Sequence, residues 1–215
     1  PADAILNKSQ EAQIGRAIMR SIRNSGQVVE DPQVTEYIDD IGHRIAAQTN
    51  DGDHSFTFFV VQDPRINAFA LPGGYIYITR GMLAYLNSEA ELAAVLGHEI
   101  GHVTARHSVR QHSAATTTSV LGAVVSVATG IDGVDDLTNM AGTAIVRGYG
   151  REHELEADRL GAEYMARSGY DPEAMLEVIG ILKDQEKYEK KRAAEDGREP
   201  NVYHGLFSTH PKNDA

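Results

Sequence analysis

The 215-residue sequence contains no cysteine. This absence excludes disulfide bonds, thiolate metal ligands and cysteine nucleophiles, so any metal ion must be held by histidine and carboxylate side chains. Tryptophan is also absent, and 20 Lys and Arg stand against 31 Asp and Glu. The formal net charge of −11 would repel a phosphate backbone, so we expect no nucleic-acid partner. The nine histidines therefore become the residues of greatest interest.

The sequence also lacks a long hydrophobic run. Its most apolar segment, residues 120–131, is interrupted by Gly122, Ser126 and Gly130 and is shorter than the roughly 20 residues that a membrane-spanning helix needs. We therefore expect no transmembrane helix in this chain. The first residues show no basic stretch followed by an apolar one, which is consistent with a cytoplasmic protein or with one whose export signal has been removed.

Hydrophobic periodicity and turn residues predict an α+β fold that is mainly helical. Helices are predicted over five segments: residues 9–23, 31–48, 88–109, 152–168 and 171–195. Three short strands are predicted between the second and third helices: residues 56–61, 66–71 and 75–79. Because Pro and Gly separate these runs, we expect a small, mainly antiparallel β-sheet.

We interpret residues 1–215 as a single domain, since neither a repeat nor a low-complexity tract divides the chain. Residues 113–150 are rich in Ala, Gly, Thr and Val and carry little charge. This composition fits a lid or plug over a functional site and fits closely packed helices equally well.

The pattern HEIGH at residues 98–102 carries the principal chemical signal. Two histidines four residues apart lie about 6 Å from each other on one helix face, so both rings can reach one zinc ion. Glu99 is offset from them and is placed to act as a general base on a water molecule. The alternative is two hydrogen-bonded core histidines beside a surface glutamate. Gly97 and Gly101 favour the metal site, because each costs a helix about 1 kcal/mol unless another element approaches closely.

A catalytic zinc ion needs a third protein ligand and an open position. The acidic helix that begins near residue 152 offers several carboxylates, and helical periodicity places Glu154 and Asp158 on one face together with Gly161. Glu156 falls on the opposite face, which we expect to be solvated. We therefore predict Glu154 as the third ligand and Asp158 as a hydrogen-bond acceptor that orients a ligand histidine.

Three segments together resemble a known family: HEIGH at 98–102, ELEAD at 154–158 and NAFALPGG at 67–74. The chain is similar to the zinc metallopeptidase family of the CaaX prenyl protease, HtpX and BepA, and most of all to its soluble, periplasmic BepA-type branch. The resemblance implies a gluzincin-type fold, one Zn²⁺ per chain held by His98, His102 and Glu154, and Glu99 as the catalytic base.

The same resemblance draws attention to two further histidines. His210, in a His-Pro pair near the end of the chain, matches a family position over the active site. It would bind the transition-state oxyanion or, in a resting form, occupy the fourth zinc position and inhibit the enzyme. His107 also matches a family pattern, but the resemblance does not assign it a role.

The leading functional hypothesis is a zinc metalloendopeptidase that hydrolyses unfolded or misassembled envelope proteins. Its substrate could pair with residues 67–71 as an added strand, although this run reads equally well as an ordinary hairpin strand. The resemblance implies a periplasmic or otherwise extracytoplasmic location and a link to outer-membrane protein assembly. Association with the membrane through a removed N-terminal signal or lipid anchor stays open. Two alternatives stay open: an assembly chaperone that binds clients and cleaves rarely, and a structural domain stabilised by zinc.

Overall fold

The structure, a computed structural model, describes residues 8–50, 55–107 and 150–203. Six helices lie within these ranges: α1 (Lys8–Asn24), α2 (Pro32–Ala46), α3 (Arg80–Tyr85), α4 (Glu89–Thr104), α5 (Arg151–Arg167) and α6 (Glu173–Asp196). Three strands complete the description: β1 (Thr57–Val61), β2 (Ala68–Leu71) and β3 (Tyr75–Thr79). The predicted α+β class with predominantly helical content is confirmed.

The helices begin where side chains can accept hydrogen bonds from the free N–H groups of the first turn. Asp31 caps α2 by accepting from the N–H of Gln33 at 3.0 Å. The hydroxyl of Ser88 accepts from the N–H of Glu91 at the start of α4, at the predicted first residue of this helix. The short helix α3, capped by Thr79, was not predicted, because six residues are too few to show a helical period.

The sheet is mixed rather than mainly antiparallel, which corrects the sequence-based expectation. Its strand order is β1-β3-β2, with β3 parallel to β1 and antiparallel to β2. The connection from β1 to β2, residues 62–67, is longer than a tight hairpin turn. It can therefore span two inter-strand spacings, and β3 lies between β1 and β2. Thr79 at the end of β3 holds this connection, because its hydroxyl donates to the carbonyl of Arg65 and its N–H donates to the carbonyl of Asn67.

Both faces of the sheet are buried, and side chains alternate between two hydrophobic clusters. Phe58 and Val60 of β1 join the main core with α2 and α4, whereas Phe59 and Val61 join a smaller cluster with Met19 of α1. Helix α4 is the centre of the main core: every residue from 91 to 103 is buried, and the helix contacts α2, α5, α6 and β2. The HEIGH segment therefore lies in a place from which bulk water is largely excluded.

Several sequence-based predictions fall on residues that the structure does not describe. These are the role of His210 and the lid or plug interpretation of residues 113–150, of which only residue 150 is described. The interpretation of residues 1–215 as a single domain likewise stays a prediction. Within the described ranges, no helix has both the length and the apolar character that crossing a membrane would require.

Candidate metal centre

Helices α4 and α5 approach each other closely because glycine lies at their contact. A Cβ atom added to Gly161 would lie 2.7 Å from the backbone nitrogen of His98 and 2.8 Å from the carbonyl carbon of Gly97. A Cβ atom added to Gly101 would lie 2.9 Å from the carbonyl oxygen of Ala157. The predicted reason for Gly97 and Gly101, close approach of another element, is confirmed. This proximity lets the short side chains of α5 reach the histidines of α4.

The structure brings His98, His102 and Glu154 together, as the sequence predicted. The Nε2 atoms of the two histidines are 3.1 Å apart, and the Glu154 carboxylate lies 2.9 Å from Nε2 of His98 and 3.4 Å from Nε2 of His102. One donor atom from each residue fits within a group no wider than 4.8 Å. All three side chains are buried, so the cluster is an enclosed set of two imidazoles and one carboxylate.

Asp158 contacts His98 from the side away from the cluster, at 2.5 Å between Oδ1 and Nδ1. A carboxylate can only accept, so Nδ1 of His98 carries the proton and Nε2 presents a lone pair to the cluster when the ring is neutral. Burial lowers the pKa of His98, but the nearby carboxylates of Asp158 and Glu154 outweigh it and raise the pKa well above its ordinary value. The surroundings of His98 thus favour positive charge.

The second histidine responds differently to the same enclosure. Burial lowers the pKa of His102 to about 4, although the Glu154 carboxylate acts in the opposite direction. A neutral His102 offers a lone pair rather than a positive charge, which is the form that binds a metal ion. Two ring nitrogens and a carboxylate therefore converge in a site that favours positive charge. These are suitable donor atoms for a metal cation.

Glu99 is fully buried beside this cluster and contacts a residue that sequence reasoning missed. The phenol of Tyr203 donates to Oε1 of Glu99 at 2.6 Å, and Tyr203 itself is buried. Burial and the Glu99 carboxylate raise the pKa of Tyr203 well above its ordinary value, so the phenol remains a donor at neutral pH. No local pattern marks Tyr203, and its position shortly before the His210-Pro211 pair is the signal that could have drawn attention to it.

His107 also belongs to this site. Its ring is buried, and its Nδ1 lies 2.8 Å from Nδ1 of His102 while its Nε2 lies 3.0 Å from the carboxylate of Glu156. The expectation that Glu156 belongs to a purely solvated face is therefore wrong. The helical period places Glu156 on the face opposite Glu154 and Asp158. It carries no information about His107, which reaches Glu156 from the turn after α4.

A histidine pair with an intervening glutamate on one helix and a carboxylate from a second helix define the class of HExxH metallopeptidases. Comparison with known proteins identifies the particular family. A model of Peptidase family M48 matches residues 32–215, and the chain belongs to this family. The family expected from the three sequence segments is confirmed, and its membership together with the buried His98, His102 and Glu154 cluster indicates a metal ion.

Curated relatives extend the comparison. A putative beta-barrel assembly-enhancing protease of Vibrio cholerae is 39% identical over 203 residues, which cover 88% of this chain and 41% of the relative. The beta-barrel assembly-enhancing protease of Escherichia coli is 36% identical over 199 residues, with the same two shares. The mitochondrial metalloendopeptidase OMA1 of Arabidopsis thaliana is 35% identical over 132 residues, 60% of this chain and 26% of that protein. The chain spans about two fifths of the length of the bacterial relatives.

Proposed function

We propose that this chain is the catalytic domain of a zinc-dependent endopeptidase. The observation that carries this proposal is the convergence of His98, His102 and Glu154 within 4.8 Å, with the carboxyl group of Glu99 buried beside them. Two imidazoles and one carboxylate are a ligand set of catalytic zinc sites, which retain an open fourth position for water or substrate. A zinc ion there would supply Lewis acidity for attack on a peptide carbonyl.

Glu99 is the proposed general base. Its carboxylate would take a proton from the attacking water and return it to the leaving amine. The hydrogen bond from Tyr203 restrains Oε1 of Glu99, so the base is held in place before substrate binds. Asp158 fixes the ring of His98 through Nδ1, which keeps Nε2 directed at the site.

We place the substrate along β2. This strand lies at one end of the order β1-β3-β2 and contacts α4, so residues 67–71 pass beside the helix that carries the HEIGH segment. Main-chain pairing with an extended peptide is tolerant of side-chain identity. A protease of unfolded proteins requires that tolerance, because its substrates have no common sequence.

For the natural substrate we propose unfolded or misassembled envelope proteins, in a periplasmic or otherwise extracytoplasmic compartment. The support is the similarity to proteases named for enhancing β-barrel assembly. The same similarity supports the outer-membrane protein assembly machinery as a partner of the complete protein.

Metal analysis and cleavage of unfolded casein test the proposal directly. Wild-type protein should bind one zinc ion per chain and cleave casein, whereas Glu99→Gln should bind zinc and fail to cleave. Glu163→Gln is the matched control, because Glu163 lies on the exposed face of α5 and pairs with Arg167. Wild-type protein without zinc, or cleavage by Glu99→Gln at the wild-type rate, would overturn the assignment. Client binding without cleavage by the wild type would favour the chaperone alternative.

A further inference from the structure

The buried imidazole of His107 connects a proposed metal ligand to a carboxylate on another helix. The connection runs from His102 through His107 to Glu156, with 2.8 Å between the Nδ1 atoms of the two histidines and 3.0 Å from Nε2 of His107 to Glu156. We propose that His107 and Glu156 are positioning residues, which hold the ring of His102 with its Nε2 lone pair directed at the metal. This inference rests on the metal centre proposed above.

The direction of the hydrogen bonds follows from what each group can do. The Glu156 carboxylate is an acceptor, so Nε2 of His107 donates to it. A neutral His107 then has a lone pair on Nδ1, which can accept only if Nδ1 of His102 donates. With its proton on Nδ1, His102 presents the Nε2 lone pair to His98 and Glu154. The chain of two hydrogen bonds thus selects the tautomer of His102 that can bind a metal ion.

The backbone before His107 adopts an unusual conformation. Arg106 has a φ of 55° and is the one residue other than glycine with positive φ in the described part of the chain. This left-handed residue ends α4 and turns the chain, so that the ring of His107 faces back to His102. The guanidinium of Arg106 lies 3.3 Å from the carboxylate of Glu11, which is buried in α1. A long-range ion pair therefore stabilises a turn that glycine would adopt at lower cost.

The ring of His107 is also fixed from its face. It stacks on His153 with 4.4 Å between ring centroids and 14° between ring planes. The relative exposure of His107 is 0%. Hydrogen bonds at both nitrogens and a stacked neighbour leave this imidazole little freedom to rotate, which a group that orients a metal ligand requires.

The two proposed histidine ligands are therefore supported from the same helix by different routes. His98 contacts Asp158 of α5 directly, whereas His102 reaches Glu156 of α5 through His107. Periodicity on α5 predicts the first route, because Asp158 lies on the inward face. The second route requires the turn at Arg106, which no local pattern indicates.

Zinc affinity of position-107 variants, measured by competition with a chelator of known affinity, tests this inference. His107→Leu removes the acceptor for His102 and should weaken zinc binding about 10- to 100-fold. His107→Asn places a carbonyl oxygen near the position of Nδ1, keeps that acceptor, and should lose less affinity than His107→Leu. Glu156→Ala should also weaken zinc binding, whereas Glu152→Ala, at an exposed position one turn earlier on α5, should not.

Urea unfolding of the metal-free proteins separates positioning from packing. If the inference holds, the free energies of zinc binding of His107→Asn and His107→Leu differ by more than their free energies of unfolding without metal. The absorption spectrum of bound Co²⁺ should also change in His107→Leu. Zinc affinity of His107→Leu equal to that of the wild type would overturn the inference but not the proposed metal centre. Equal losses of affinity in His107→Asn and His107→Leu would have the same consequence. Absence of zinc binding by the wild type would overturn both.

Discussion

Helix α5 carries acidic residues on two faces, and their surroundings differ. Glu154 and Asp158 point inward, where their carboxylates contact the imidazoles of His98 and His102. Glu163 points outward and pairs with Arg167 at 2.5 Å, with 40% and 43% of the two side chains exposed. An exposed pair of this kind contributes about 0–1 kcal/mol, because water and salt screen it.

The inward face follows a different electrostatic rule. A carboxylate removed from water is costly unless positive charge and hydrogen bonds compensate. Glu154 has no exposed surface, so it depends on the neighbouring rings and, in the proposed function, on a metal cation. The comparison teaches that the acidic excess of this chain has two origins: solvated helix surface, where single charges matter little, and an interior site, where they determine the chemistry.

The largest expected effect comes from making the same substitution on each face of α5. Glu154→Gln should lose stoichiometric metal and casein cleavage, because it removes a charged ligand. Chelator should then leave the Tm of Glu154→Gln unchanged. For the wild type, with free metal at 100 times the Kd, chelation should lower the free energy of unfolding by about 2.7 kcal/mol and so lower the Tm. Glu163→Gln should behave as wild type in all three measurements. Metal retained by Glu154→Gln would contradict the distinction between the faces.

The second effect tests the close contact that makes the inward face a site. Gly161→Ala should destabilise the protein by about 1–3 kcal/mol, because the new Cβ atom would meet the backbone of His98 and Gly97 at under 3 Å. Gly180→Ala in α6 is the control, since a Cβ there meets nothing within 4 Å. That variant should gain about 0.5–1 kcal/mol from helix propensity. Urea unfolding measures both, and an unchanged Gly161→Ala midpoint would refute the packing argument.

A third effect, no larger than the second, is expected at Tyr203. Tyr203→Phe leaves Oε1 of Glu99 without the phenol donor and should cost about 1–3 kcal/mol, expressed as lower kcat/KM or lower stability. Zinc content should stay at the wild-type value, because Tyr203 is not among the proposed ligands. Tyr188→Phe serves as the control, since Tyr188 is 60% exposed. Equal cleavage rates and equal stabilities for Tyr203→Phe and wild type would show that the hydrogen bond has no role.

The smallest effect concerns a surface acid with an arginine partner. Burial alone would raise the pKa of Asp63, but hydrogen bonds from the Arg65 guanidinium and backbone outweigh it and lower the pKa. A lowered pKa in the folded state means stability that is present above the unfolded pKa and is lost as pH falls through the folded pKa. Asp63→Asn should therefore lose at most about 1 kcal/mol at neutral pH. The difference from wild type should disappear in acid, as urea unfolding at several pH values would reveal.

Much of the site follows from local sequence alone. The spacing of His98 and His102 places two rings on one face of a helix, and Ser88 with Glu91 marks where that helix begins. The period of α5 turns Glu154 and Asp158 inward. Each of these predictions depends on the geometry of a single helix, which the backbone hydrogen bonds of that helix impose.

What the sequence by itself determined, then, is the helices and strands other than α3, the peptidase family and the four residues proposed to bind metal and transfer protons. The tertiary structure alone decided that β3 enters the sheet between β1 and β2, that Tyr203 contacts Glu99, and that His107 joins His102 to Glu156. The reason is physical: these contacts join groups whose positions depend on how whole elements pack, and a left-handed residue such as Arg106 interrupts the helical period from which local predictions are made.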